Sequence, residues 1–100
     1  MTKAKFWDYG FKIEGHSTKD AFDDDGRLVC AAVSSAAYMA ANTITEIIGD
    51  SAEIKAEDGD MYLNAKEPSD KTKAVLKGLK LHLSELQKQY GKRLSVITEV

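Results

Sequence analysis

The stretch from about Leu28 to Ile48 limits what this chain can fold into more than any other part of it. Val29, Ala32, Val33, Ala36, Ala37, Ala40, Ala41, Ile44, Ile47 and Ile48 recur at helical spacing, and at its start the pattern is apolar nearly all round. A helix of that kind is buried on more than one side. Its alanines allow close approach by a sheet, a second helix or another subunit. Ser34, Ser35, Asn42 and Thr43 interrupt it, so it reads as too polar and too short to span a membrane. Gly49 offers the left-handed residue that commonly closes a helix.

The remaining elements supply a partner layer for that helix. Residues 3–8 and 11–16 read as two short strands joined at Tyr9 and Gly10, with aromatic residues raising strand propensity. Ala52, Ile54 and Ala56 alternate with charged residues, as do Met61, Leu63 and Ala65 with polar ones, and Asp58-Gly59 between the two runs is a strong hairpin signal. Ser69 is placed to cap a second helix, whose Val75, Leu76, Leu79, Leu83 and Leu86 form one apolar stripe. A strand around Leu94 to Thr98 follows. The order β-β-α-β-β-α-β predicts a single-domain α+β sandwich, an antiparallel or mixed sheet with two helices packed on it.

Several classes of function fall away on composition. Fourteen basic and sixteen acidic side chains leave a net charge of −2, with no run of either sign that suits nucleic acid or a membrane surface. One cysteine makes no internal disulfide, and the opening MTKAKFWDYG has no apolar run of a leader, so the chain reads as cytoplasmic. The Asp23-Asp24-Asp25-Gly26 run is no calcium loop: with Gly26 in sixth place, the first and twelfth ligand positions fall on Ala21 and Ala32. No Cys-x-x-Cys and no glycine-rich phosphate loop is present, and neither metal nor cofactor is expected.

Chemistry gathers around the start of the long helix. Cys30 lies where the Asp-rich run gives way to the apolar segment, which predicts a thiol in the first helical turn, close to free backbone N–H groups that favour thiolate. His16 sits at the end of the second strand, and residues 17–27 form a polar loop that could bring it back to the thiol. A Cys-His pair is the minimal nucleophile and base. The plainer readings are a small buried hydrophobe for Cys30 and a surface histidine for His16. His82, inside the regular second helix, is assigned no role.

The residues become specific in combination. Gly15-His16, a polar loop containing glycine, and then Leu28-Val29-Cys30-Ala31-Ala32-Val33-Ser34 resemble the bacterial ribosomal-processing cysteine proteases, small domains formerly grouped as a family of unknown function. The likeness spans nearly the whole chain as one cysteine-protease-like domain over residues 1–100. It implies that Cys30 is the nucleophile, His16 the general base and then acid, and Ser34 an auxiliary polar residue. It implies a homodimer and a narrow substrate, the N-terminal extension of the twenty-seventh large-subunit ribosomal protein, cut after an aromatic residue. The N–H groups of Cys30 and Ala31 would stabilise the oxyanion, and the loop from Ser17 to Arg27 would close over substrate. Two features depart from the family pattern. Arg27 stands where an Asp is common, three residues before the cysteine, and the His-to-Cys loop is longer. Asp25 could then orient the imidazole, and Arg27 could stabilise the thiolate directly. The rival reading is a non-catalytic, protein-binding relative with the same scaffold; a redox-sensing thiol is a third.

Overall fold

A computed structural model of the chain describes residues 1–18 and 22–99. Strands β1 (Thr2–Trp7) and β2 (Gly10–Glu14) precede helix α1 (Asp24–Asn42), which runs on as a π-helical segment, Thr43–Ile48. Strands β3 (Ala52–Glu57) and β4 (Asp60–Ala65), helix α2 (Asp70–Gln89) and strand β5 (Leu94–Thr98) complete the order. The element order is the one the sequence predicts.

The sheet is mixed. Its strand order is β3-β4-β2-β1-β5, with β1 and β5 parallel and every other pair antiparallel. Register places Ala4 opposite Ile13, Phe6 opposite Phe11, Phe11 opposite Leu63 and Ile13 opposite Met61. Directly opposed residues share a sheet face, and all of these side chains are buried in one core with Val29, Val33, Ala37 and Ile44 of the first helix and Leu76, Leu79 and Leu83 of the second. Both helices therefore cover one face of the sheet, a two-layer sandwich. Gly10 is required where β2 meets β4, since a Cβ there would lie 1.8 Å from the Leu63 carbonyl oxygen.

Three details differ from the sequence reading. First, α1 begins at Asp24 and not near Leu28, because Asp23 caps it: the Asp23 carboxylate accepts from the Gly26 N–H at 3.1 Å, and Asp24 and Asp25 lie in the first turn, where negative charge suits the helix dipole. Second, the continuous helix from Asp24 to Ile48 has 25 residues and is long and apolar enough to cross a membrane, which corrects the expectation that it is too short. Its apolar stripe, Val29 to Ile44, is spent on the sheet, while Met39 and Ile47 stand exposed, so burial is on one side. Third, the helix ends in π geometry. There the hydroxyls of Thr43 and Thr45 bond the carbonyls of Met39 and Ala41, a pattern that loosens and bends helices. Gly49 then takes φ 86°, as expected.

A polar clasp joins the two helices at that point. One carboxylate oxygen of Asp50 accepts from the Thr72 hydroxyl (2.6 Å), the Ser69 hydroxyl (2.7 Å) and the Ser69 N–H (2.9 Å). These bonds, the Thr72 hydroxyl first, hold the Asp50 carboxyl below its ordinary value of 3.8. A depressed folded-state pKa contributes stability above the unfolded value, and that contribution is lost as pH falls through the folded value. Asp50→Ala is thus expected to lower the melting temperature at neutral pH and to flatten the fall in stability below pH about 4. A variant with an unchanged acid limb in a thermal melt series would contradict this account.

Candidate active site

His16 owes its position to two glycines. The chain leaves β2 and turns at Gly15, whose φ of 90° is open to glycine at little cost. A Cβ at Gly15 would also sit 2.5 Å from the Met1 carbonyl oxygen. The Gly15 N–H donates to the Gly59 carbonyl at 2.9 Å, which ties the end of β2 to the β3–β4 turn. Gly59 takes φ 76° while Asp58 keeps a negative φ, so the Asp-Gly turn is not of type I′, which needs both positive. The imidazole lies directly over Gly59: a Cβ there would be 2.5 Å from His16 Nε2 and 2.9 Å from Cε1. His16 lies two residues beyond the end of β2 and is exposed, in keeping with an outward-looking strand end.

Cys30 comes from α1. It is half-buried, and Val33, Ser34, Ala37 and Tyr38 continue its face of the helix at three- and four-residue spacing. That face and His16 line a single cavity of about 120 Å³. Glu57, Asp58 and Asp60 of the β3–β4 turn supply its acidic wall, and Gly15 and Gly59 the close backbone. The fold thus brings the thiol and the Ser34 side chain of α1 and the imidazole that follows β2 to one cavity.

The helix start at Asp24 changes the electrostatics expected of the thiol. Cys30 is the seventh residue of α1 and Ala31 the eighth, and only the first four N–H groups of a helix lack an intrahelical partner. Neither N–H is free to hold an oxyanion, and Ala31 does not line the cavity. The thiol instead receives a donor from the loop: the Ser17 N–H points at Cys30 Sγ at 3.2 Å. Ser17 is itself fixed. Its hydroxyl donates to the Arg93 carbonyl (2.9 Å), which leaves the buried Thr2 hydroxyl as donor to Ser17 Oγ (2.6 Å). Arg93 Nη1 donates to the Ser17 carbonyl at 3.0 Å and pairs with the Asp23 carboxylate.

Arg27 and Asp25 are elsewhere. Arg27 is exposed and pairs with Asp24 along the helix; Asp25 is exposed in the first turn, and neither lines the cavity. A direct effect of Arg27 on the thiol, or of Asp25 on the imidazole, is not what this arrangement provides. The loop from Ser17 to Arg27 is correspondingly shorter, since its last four residues are helix. Its centre, residues 19–21, lies outside the described residues, and the closing role expected of it falls there. The loop lies tight on the helix start through Gly26, where a Cβ would be 2.6 Å from the Ser17 carbonyl oxygen and 2.7 Å from Thr18 Cα.

Among the described residues, no group of three or more His, Cys, Asp or Glu side chains is placed to hold a metal ion. Sequence reasoning missed Ser17, Asp23 and Arg93. The Asp23 cap had a visible signal, Asp three residues before Gly26 at the head of a helix. Arg93 had none, because it is 76 residues from Ser17.

The sequence profile of the family described as cysteine protease Prp matches residues 1–95. No curated protein matches the chain by sequence. Among solved structures, the ribosomal processing protease Prp of Staphylococcus aureus with a covalently linked product peptide is similar, with a TM-score of 0.87 and 16% identity over 99% of this chain and 100% of that one. The same protease with a substrate peptide gives 0.86 at 15% identity, covering 99% and 100%. A Streptococcus mutans protein gives 0.79 at 18% identity, covering 99% of each chain. At such identities the structural likeness carries the fold.

Proposed function

Since the chain belongs to the cysteine protease Prp family, we propose that it is an active cysteine endopeptidase in which Cys30 is the nucleophile and His16 the general base and acid. The observation that carries this reading is the shared cavity: the only thiol of the chain and an exposed imidazole line the same space, and the Ser17 N–H is aimed at the sulfur. His16 takes the proton of the Cys30 thiol, and the thiolate attacks the scissile carbonyl carbon of a bound peptide. The imidazolium then protonates the departing amine, the C–N bond breaks and a thioester remains. Water, deprotonated by His16, attacks the thioester and frees the acid and the thiol. Ser34, one helical turn from Cys30 in the same cavity, is available to hydrogen-bond substrate or His16.

The substrate in this reading is the precursor of the twenty-seventh large-subunit ribosomal protein, cut after an aromatic residue in its N-terminal extension. Its support is the family and the peptide-bound S. aureus protease. Incubating the protein with that precursor is expected to give one cut, read by intact mass, that releases the extension. A precursor left whole over hours at equimolar enzyme would contradict the assignment. A cytoplasmic homodimer belongs to the same reading. Ala52, Ile54 and Ala56 lie opposite the buried Ala65, Leu63 and Met61, yet Ile54 and Ala56 are exposed beyond the helices, an apolar edge a second copy could cover. A monomeric mass by light scattering at assay concentration would remove the dimer.

A further inference from the structure

We infer that Arg93 is a positioning residue for the reactive thiol: it clamps the backbone of Ser17 so that the Ser17 N–H stays on Cys30 Sγ and stabilises the thiolate. The inference rests on the protease reading and adds to it a residue from the far end of the chain.

The geometry is a closed set of bonds. Arg93 lies just before β5, and its backbone is fixed to the β1 end by the Thr2 N–H, which donates to the Arg93 carbonyl at 2.9 Å. Its side chain, 20% exposed, reaches across to the Ser17 carbonyl at 3.0 Å and to Asp23, whose own side chain is 9% exposed. Ser17 therefore has its carbonyl held by the Arg93 guanidinium and its hydroxyl by the Arg93 carbonyl and by Thr2. Its N–H is directed at Cys30 and meets Sγ at 3.2 Å, a separation ordinary for the smaller oxygen acceptor. A donor held in place strengthens as its acceptor becomes charged, which favours thiolate over thiol. Asp23 links this clamp to the helix that carries Cys30, because the same carboxylate caps α1 at Gly26. The peptide unit bearing the Ser17 N–H also carries the His16 carbonyl, so the clamp holds the imidazole's backbone too.

The other groups around Cys30 decide how much this matters. Glu57, Asp58 and Asp60 in the cavity wall disfavour a further negative charge. His16, once protonated, favours the thiolate, but it must take up a proton to do so. Among the described residues, no lysine or arginine lines the cavity. The Ser17 N–H is thus the fixed donor set against the acidic wall, and its position depends on Arg93.

The test is a pH titration of thiolate ultraviolet absorbance in the folded parent, Arg93→Ala, Arg93→Lys and Ser17→Ala, with melting temperatures alongside. In the parent the midpoint is expected well below the free-thiol value of about 8.5. In Arg93→Ala it is expected to rise by about one unit, with an approximately tenfold loss of thiolate at pH about 6.5, and Arg93→Lys is expected to restore part of it. A general structural role would lower the melting temperature and leave the midpoint in place. If Arg93→Ala does not fold, Ser17→Ala, which keeps the N–H and loses both hydroxyl bonds, carries the same reading: an upward shift supports the clamp and an unmoved midpoint overturns it. A depressed parent midpoint unmoved in every folded variant overturns the clamp alone. A parent midpoint at the free-thiol value overturns the clamp and removes the resting thiolate from the protease reading, whereas precursor cleavage reports on that reading separately.

Discussion

Replacing Cys30 with alanine is expected to reduce cleavage of the ribosomal precursor by at least about 10⁴-fold while leaving the fold in place, because removing the nucleophile of a covalent mechanism leaves only binding and electrostatics. Alanine keeps the Cβ, has the best helix propensity, and enters a half-buried position in the middle of α1. What the structure loses is one acceptor for the Ser17 N–H. The loop retains its bonds to Arg93 and Thr2, so the stability cost is about 1 kcal/mol. Intact-mass kinetics and a thermal melt measure the two quantities. A stable Cys30→Ala protein that still cuts within tenfold of the parent rate would mean that another group performs the attack.

Gly59→Ala is expected to separate activity from stability in another way. Gly59 is not part of the reaction, but the imidazole of His16 rests on it, and a methyl there must displace the ring from a contact of 2.5 Å. Misplacing a catalytic group by about 1 Å costs roughly 10²-fold in rate. The φ of 76° adds strain of about 1 kcal/mol for a residue with a side chain, a fall of about 4–8 °C in melting temperature for a domain of this size. Cleavage should therefore drop by about 10²-fold in a protein that remains folded at assay temperature. Gly78→Ala is the matched control, since it lies within α2 and, beyond its neighbours and the helix's own backbone, nothing comes within 4 Å of the added methyl. There the helix gains propensity and cleavage is unchanged. Equal activity in the two variants would remove His16 from the chemistry.

Periodicity made most of the architecture legible. Alternation in Phe11 and Ile13, and in Met61, Leu63 and Ala65, marked strands with one buried face, and the Leu76-Leu79-Leu83 stripe marked the buried side of α2. The parallel pairing of β1 with β5 was not legible, because it joins the two ends of the chain and no local signal encodes it. The start of α1 was misread for a physical reason. Four aspartates in a short polar run look like solvated loop, yet Asp23 is a cap and Asp24 and Asp25 complement the dipole. That shift moved Cys30 from a helix start to a helix middle, and with it the source of its N–H donor from α1 to the loop.

The residues that share the candidate cavity were legible, and those that hold them in place were not. Gly15-His16 and the block from Val29 to Ser34 pointed to the residues that line the cavity, since a glycine of positive φ and a helical stripe both leave marks in sequence. Arg27 stands where the family pattern commonly has Asp, three residues before Cys30, but helix geometry turns it to solvent beside Asp24. The arginine that reaches the loop is Arg93. Side chains that hold a backbone in place from a distant strand have no spacing rule, and only the packed structure brings them forward.

The central claim, that Cys30 and His16 work as one thiol-imidazole pair, is tested most directly by the rate at which iodoacetamide alkylates Cys30 at pH about 6.5, two units below the free-thiol pKa of about 8.5. The comparison is the folded parent, His16→Ala and the unfolded chain. The account predicts that the parent reacts at least about tenfold faster than the unfolded chain and that His16→Ala loses most of this advantage. A parent no faster than the unfolded chain, and indifferent to His16, would contradict the assembled pair and leave a protein-binding relative of the protease fold as the better description.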